Sequence, residues 1–391
     1  MLHWENMRKN IAIFFGGTSP EHEISILTGV QAFHAIDTEK YEPIPVFVDQ
    51  DGQFFTGIKL TDTANYENSG QLLDSCTQVS FIKEKDIVVM ISKSFIGIKK
   101  TPIDCAFLAF HGAYGEGGTF QGFCETLGLP YTSSDTLGAS LCMDKVSMKQ
   151  VLERENIPMA NYAVALEKDF LEKQHEVVES IERKTPYPVF IKPSNGGSSI
   201  GVNRAKNRTE LVHGLEVAFA FDSKVLIEQE FAKDTEINIS YLGLWNDEIQ
   251  TSVSEEVYSD NEFLDFENKY LKGSKSKKVS GSKGMASTNR TIPAQISPAF
   301  LTKLQRDGEK AFQALCCAGV VRIDFLVNKK TEEYVLVEVN TIPGSLAFYL
   351  WQKTNVSFTE LTTRMIELAF KKKEMRESHA RKFTPQIFKN L

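Results

Sequence analysis

The sequence predicts an α/β protein of more than one domain, and three observations carry that expectation. Residues 11–15, "IAIFF", form the continuously apolar run that a strand buried on both faces needs, and Gly16-Gly17 breaks it before the helical pattern "EISILTGVQAFHAI". Strand, glycine turn and helix in that order open an α/β unit. Residues 160–230 then alternate short strands ("YAVAL", "PVFIKP", "IGVNRA", "KVLIEQEF") with helices ("KDFLEKQHEVVESIER", "RTELVHGLEVAFAF"). Finally, 391 residues exceed one typical core, so two or three modules are expected.

In chain order, Thr18, Ser19 or Pro20 can open the first helix. Further strands are expected at "EPIPVFV" and "DCAFLAF", separated by polar or helical stretches, and "HGAYGEGGTFQGFCETLG" starts as a glycine-rich loop and turns helical. These elements make a first domain, residues 1–138, built on a parallel sheet. A second unit, 139–230, opens with "MDKVSMKQVLERENIP", a helix with Val146, Met148, Val151 and Leu152 on its apolar face. Residues 231–375 hold the strand "INISYLG", a long polar loop and a hairpin. Their amphipathic helix repeats Phe300, Leu304, Ala311, Phe312 and Leu315 at helical spacing. Gly319, just past it, is where a left-handed cap is expected. Residues 376–391 read as a basic tail, and "KKKEMRESHARKFTPQIFKNL" as solvated or loosely docked.

Composition narrows the function classes. A hydrophobic fraction of 42% and a charged fraction of 24% describe an ordinary globular chain. A formal net charge of -7 argues against a general nucleic-acid binder, although a few lysines suffice for a local phosphate pocket. No apolar stretch reaches the roughly 18 residues a membrane span needs, and the N-terminus has no cleavage pattern, so a cytoplasmic protein with no membrane partner is expected. The six cysteines show no CxxC spacing and read as small thiols rather than disulfides or a zinc site.

Two segments carry chemistry. "KPSNGGSSIG", residues 192–201, lies between strand-like runs. It lacks the lysine of GxxxxGK[ST] and the spacing of GxGxxG, which also disfavours a nicotinamide oxidoreductase. Alone it reads equally as a plain hairpin turn or as a flap. In the second case its N–H groups, with the Ser198 and Ser199 hydroxyls, would close over phosphates beside Lys192. In "VVRIDFLV", strand alternation puts Arg322 and Asp324 on one face and Ile323, Phe325 and Val327 on the other. In "YVLVEVN" it sets Glu338 and Asn340 together, opposite Val335, Val337 and Val339. A hairpin centred on Thr331 brings Asp324 across from Glu338 and Arg322 across from Asn340. Such a cluster is usually a salt-bridged, solvent-facing surface; here the apolar surroundings and the "NTIPG" loop that follows favour a site. Oxygen-only ligands suit Mg²⁺ far better than zinc.

"FIKPSNGGSSIG", "RIDF" and "LVEVNTIPG", in that order, resemble the ATP-grasp superfamily, and more narrowly the D-alanine–D-alanine ligase family. "FFGGTSPEHEIS", "HGAYGEGGTFQG", "GLPYTSSDTLGASLCMDK", "VLIEQEF", "FENKY" and "IPA" fit as well, across most of the chain. The resemblance implies a Rossmann-like N-terminal domain followed by a two-lobed ATP-grasp domain with a lid at 259–294. It implies an ATP-dependent ligase that joins two D-alanines through an acyl phosphate for peptidoglycan precursors. ATP would lie between two sheets, with Lys145 and Lys192 on its phosphates and a flap containing Gly197, Ser198 and Ser199 over them. Residues 228–231, Glu228 to Phe231, would run past the adenine, Glu236 would hold the ribose, and Lys269 would join the nucleotide site. Asp324, Glu338 and Asn340 would hold two Mg²⁺ (or Mn²⁺) ions. Glu21 would face the first ammonium group and link through Ser198 to Tyr270, while Arg322 and the Gly344 backbone would face the oxyanion. His111 and Tyr349 would complete the substrate side, and a homodimer is implied.

Two features depart from the family pattern. The lid carries the insertion "GSKSKKVSGSKGMAS", and Tyr349 in "NTIPGSLAFYLW" stands where the family has a serine that helps hold the acceptor carboxylate. Either Tyr349 or Ser345 takes that place, and a ligase for a different amino-acid pair is the alternative reading.

Overall fold

The structure, a computed structural model, describes residues 8–94, 97–258 and 290–379. Its N-terminal sheet contains β1 (Lys9–Gly16), β2 (Tyr41–Val48), β3 (Phe54–Thr56), β4 (Thr77–Glu84), β5 (Ile87–Ser94), β6 (Gly97–Ile103), β7 (Cys105–Leu108) and β8 (Tyr131–Thr132). Their order is β6-β5-β4-β3-β2-β1-β7-β8. β1 runs parallel to β2 and β7, and β7 to β8, as a buried α/β sheet requires. The other neighbours are antiparallel, so the expected parallel sheet covers only half of this domain. The reason is connection length. A parallel step needs a crossover such as the helix His22–Ala35 between β1 and β2, whereas β4 and β5 are joined by only Lys85 and Asp86, with Lys85 left-handed at φ 57°. Ile11, Ala12, Ile13 and Phe14 are wholly buried on both faces of β1.

The second sheet is antiparallel, with β9 (Tyr162–Leu166), β10 (Val189–Pro193), β11 (Asn203–Ala205) and β12 (Lys224–Gln229) in the order β11-β10-β12-β9. Helices Glu167–Lys184 and Arg208–Phe219 lie against one face, burying Val189, Ile191, Val225 and Ile227. The period of two then turns Phe190, Lys192 and Glu228 to the opposite face.

The third sheet contains β13 (Thr235–Leu244), β14 (Ile249–Val257), β15 (Arg290–Thr291), β16 (Ala318–Asn328) and β17 (Glu333–Asn340), in the order β15-β14-β13-β16-β17. The helix Pro298–Ala314 packs Phe300, Leu304 and Phe312 on Ile237, Ile239, Ile323 and Phe325. Its cap differs from expectation. Cys316 is the left-handed residue at φ 54°, with Cys316 N–H donating to Gln313 O and Cys317 N–H to Phe312 O. Gly319 also has positive φ, but within β16, where a side chain would press on the Ser133 backbone. On the other side Leu242, Val320, Ile342, Leu346 and Trp351 join the core of the N-terminal domain, so the two units hold one another in place.

Residue 376, where a tail was expected to start, lies inside a helix. The helix Phe358–Ser378 continues past residue 376. Arg376 pairs with Glu125 at 2.6 Å, and Lys372 donates to Ser133 O at 2.7 Å over the Tyr131 ring. The first turns of this helix bury Leu361, Met365, Ile366 and Ala369, and positive side chains dock its last turns, which an apolar-periodicity search does not detect. Among the described residues no helix is long and apolar enough to cross a membrane.

Candidate active site

The hairpin β16–β17 sets Asp324 opposite Glu338 and Arg322 opposite Asn340. Below Asp324 the register shifts, and Phe325 pairs with Leu336. Val337 is the extra residue of a β-bulge. Strict alternation therefore fails on β17: Tyr334, Leu336 and Val339 enter the core, while Val335 and Val337 line the same cavity as Glu338. The bulge moves Glu338 to the site face without disturbing the apolar side of the hairpin.

Arg322 forms a forked pair with Asp324, Nε to Oδ1 at 2.7 Å and Nη2 to Oδ2 at 2.8 Å. Asn340 Nδ2 donates to Asp324 Oδ2 at 2.9 Å, which leaves its amide oxygen as the atom a cation can use. Two facing carboxylates and an amide, all oxygen donors, fit a hard divalent cation. Among the described residues no three His, Cys, Asp or Glu side chains form a metal cluster, in keeping with a set whose third member is an amide.

The glycine-serine segment is a hairpin tip between antiparallel β10 and β11. Ser198 and Ser199 are left-handed, at φ 54° and 59°. The Ser198 hydroxyl donates to Glu21, the residue that begins the helix His22–Ala35. Lys145 begins the helix Lys145–Arg154, whose cap, Asp144, accepts from Ser147 N–H and Ser194 Oγ, and Lys145 Nζ donates to Gly196 O at 2.5 Å.

Lys192 is paired with Glu228 at 2.7 Å. Glu228 also takes Lys149 at 2.5 Å, whose side chain is 1% exposed. Burial pushes the Glu228 carboxyl up, but Lys192 and Lys149 outweigh it and hold the group down at about 2. Its side chain is thus an anchor for two lysines. Lys149 was not singled out from sequence, yet it lies one helical turn after Lys145, and that spacing is the available signal.

Two cavities meet here. The first is lined by Lys145, Lys192, Gly197, Ser198, Ser199, Glu228, Phe231, Glu236, Asp324 and Glu338, and so holds every described residue expected to contact ATP. The second is lined by Glu21, Glu116, Ser198, Arg290, Arg322, Glu338 and Asn340, among others. Lys145, Gly196, Gly197, Ser198, Glu236 and Glu338 belong to both. Lys269 and Tyr270 lie outside the described residues.

His111, Gly344 and Tyr349 do not line the second cavity. His111 is buried, exchanges a 2.7 Å hydrogen bond with Thr28 Oγ1, and donates its own N–H to Ser25 Oγ. Burial, helped by the Arg322 charge, lowers the His111 imidazole to about 4, so it is neutral near pH 7. Thr28 Oγ1 also accepts from Ser345 N–H, tying this group to the loop after Gly344. In that loop Ser345, Leu346 and Ala347 are all left-handed, a strained run for residues with a Cβ. The Tyr349 hydroxyl donates to Glu255 Oε1 at 2.9 Å.

Glu116 was also not foreseen. It accepts from Gly112 N–H at 2.7 Å and from Ile342 N–H at 3.2 Å. Burial and the Glu21 charge raise it to about 8. The available signal for Glu116 was its place in the motif "HGAYGEGGTFQG", since only the fold brings residue 342 against it.

Two family models match the chain, "D-ala D-ala ligase N-terminus" over residues 10–134 and "D-ala D-ala ligase C-terminus" over residues 151–367. The D-alanine–D-alanine ligase of Clostridium acetobutylicum is 37% identical over 367 residues, covering 93% of this chain and 98% of that one. The ligase of Natranaerobius thermophilus is 35% identical over 381 residues, covering 96% and 98%. Among solved structures, the D-alanine-D-alanine ligase of Coxiella burnetii shares the fold at TM-score 0.79 and 23% identity, covering 96% of this chain and 97% of its own. The VanG D-Ala:D-Ser ligase of Enterococcus faecalis aligns at TM-score 0.77 and 26% identity, covering 93% and 100%. With both halves matched in order and relatives aligned along nearly their whole length, the chain belongs to the D-ala D-ala ligase family.

Proposed function

We propose that this enzyme joins two D-alanines into D-alanyl-D-alanine for peptidoglycan precursors, using ATP to activate the first carboxylate as an acyl phosphate. The observation that carries the reading is the meeting of the two cavities at Glu338, Lys145 and the flap tip. A nucleotide in one and an amino acid in the other would bring the γ-phosphate and the carboxylate together at that junction.

The residues divide the work. Lys145 and Lys192 neutralise phosphate oxygens, and the N–H groups and hydroxyls of Gly197, Ser198 and Ser199 close over them. Residues 228–231 pass the adenine by their backbone, and Glu236 takes the ribose. Asp324, Glu338 and the Asn340 oxygen would hold two Mg²⁺ ions. Bound there, they would neutralise the crowded phosphate oxygens and polarise the transferring group. Glu21, fixed by Ser198, faces the ammonium group of the first D-alanine. One oxygen of that amino acid's carboxylate attacks the γ-phosphorus and ADP leaves. The neutral amine of the second D-alanine then attacks the acyl carbon, and the phosphate leaves with the carboxylate oxygen and takes up the proton that the amine loses. Arg322 stabilises the tetrahedral oxyanion from its Nη1 side, which is not part of the Asp324 fork. The reading includes the family's homodimer, tested by light scattering on the purified protein.

The test is ADP release and dipeptide formation with ATP, Mg²⁺ and D-alanine. No ADP with D-alanine under any condition contradicts the proposal. A different acceptor is the second reading, favoured by Tyr349 where a serine is expected and by the likeness to a D-Ala:D-Ser ligase. Turnover only with a mixed pair of D-amino acids selects it.

A further inference from the structure

We infer that Arg290 anchors the carboxylate of the acceptor amino acid, and that Glu255 and Tyr349 are positioning residues that hold its guanidinium in the cavity wall. This rests on the ligation reading above and names a residue which that reading lacks. The need arises from Tyr349, whose position suggests a carboxylate-binding hydroxyl but whose phenol is directed elsewhere.

β15 pairs with the end of β14, placing Arg290 beside Val257. Arg290 Nη1 is 2.9 Å from Glu255 Oε2, and its guanidinium carbon is 4.7 Å from the centre of the Tyr349 ring. Tyr349 in turn donates its hydroxyl to Glu255 Oε1, and Asn238 Nδ2 donates to the same oxygen at 3.2 Å. Glu255 is 1% exposed, so with three donors around it the carboxylate is enclosed rather than offered to a ligand. Burial and the Glu255 charge push the Tyr349 phenol well above its ordinary range, so it stays protonated and keeps donating to Glu255. Aromatic ring, carboxylate and guanidinium thus form one rigid unit, and of the three only Glu255 and Arg290 border the cavity.

The charge of that cavity explains why such a unit is useful. Glu21, Glu236 and Glu338 all line it, which repels an incoming carboxylate. Of its cations, Lys145 reaches toward the flap and Arg322 is forked onto Asp324. Arg290 adds a planar guanidinium at the cavity wall, a shape matched to a carboxylate, held from behind by stacking and by the Nη1 ion pair. Because Glu255 offsets its charge, discrimination comes from the direction of the N–H bonds, and a carboxylate is favoured over a diffuse anion.

The test is steady-state kinetics of dipeptide formation with Arg290→Ala, Arg290→Lys, Tyr349→Phe and the double variant Arg290→Gln/Glu255→Gln. Loss of a charge-assisted contact should raise the acceptor KM roughly 10- to 100-fold in Arg290→Ala, with the KM values for ATP and the first D-alanine within about twofold. Arg290→Lys keeps the charge, and Tyr349→Phe keeps the ring without the hydroxyl bond, so smaller acceptor-specific rises are expected in both. The double variant leaves no unpaired buried charge and should show the full acceptor effect, even where Arg290→Ala fails to fold. An unchanged acceptor KM in the double variant, or an equal rise for ATP, overturns the assignment. Should the wild type make no dipeptide, the ligation reading fails separately. Calorimetric binding of D-alanyl-D-alanine with ADP then judges Arg290: about tenfold weaker binding in the variants supports it, and equal binding rejects it.

Discussion

Replacing Lys149 by methionine tests how the nucleotide cavity keeps its charges in order. Lys149 and Lys192 share the Glu228 carboxylate, at 2.5 and 2.7 Å, and Glu228 is 5% exposed. Holding that carboxyl at about 2 against its ordinary 4.5 corresponds to roughly 3 kcal/mol in favour of the charged form. Removing one partner of a buried pair costs about 3–5 kcal/mol, and the lower end applies because Lys192 remains. For an unfolding unit of 150–250 residues 1 kcal/mol is roughly 2–4 °C, so Tm should fall by roughly 6–12 °C. Lys192 must then neutralise Glu228 alone, and the KM for ATP should rise several-fold. The triple variant Lys149→Met/Lys192→Met/Glu228→Gln should recover most of the Tm, because no charge is left uncompensated. The pH signature follows from the sign of the shift. A depressed carboxyl contributes stability that is present above 4.5 and lost as pH falls toward 2, and in Lys149→Met, where the carboxyl is less depressed, that loss should be smaller and complete at a higher pH. A single variant within 1 °C or so of wild type, or a triple variant no better than the single, refutes the reasoning.

Asp324→Ala and Glu338→Ala should each abolish turnover while circular dichroism shows a folded chain, and retained activity in both would rule out the cation site. Ser198→Ala removes the hydroxyl bond to Glu21, and the KM for the first D-alanine should rise about tenfold at an unaltered melting point. His111 is held neutral down to about 4 in the folded protein, while the unfolded chain takes up a proton near 6.5. Stability should therefore drop by about 3 kcal/mol between pH 6.5 and 4, and His111→Gln should flatten that segment of the Tm–pH curve.

The hairpin that carries Asp324, Glu338 and Asn340 was legible because period-two alternation and a polar turn fix both register and face. The bulge at Val337 was not, since an unpaired residue leaves no trace in an apolar run. "TQVSFIKE" does alternate, with Val79 and Phe81 buried, but a two-residue turn at Lys85 and Asp86 is not a usual hairpin signal, and the antiparallel half of the first sheet was missed. Local chemistry foretold Cys316 no better, because a left-handed cap is assigned to the nearest glycine by habit of residue type. Family likeness supplied Glu21 with Ser198, a contact across 177 positions that no periodicity reaches. Lys149, Glu116, Glu255 and Arg290 owe their importance to buried ion pairs and to segments the fold brings together. Such pairings are invisible to a reading that treats charged residues as surface.

One measurement bears most directly on the central claim, that the carboxylate of one amino acid meets the γ-phosphate where the two cavities join. D-alanine labelled with ¹⁸O in its carboxyl group is turned over with ATP, and the released phosphate is analysed by mass spectrometry. The account predicts one labelled oxygen in each phosphate, carried off when the second amine displaces it. Unlabelled phosphate alongside dipeptide would mean that no acyl phosphate forms, and would contradict the account.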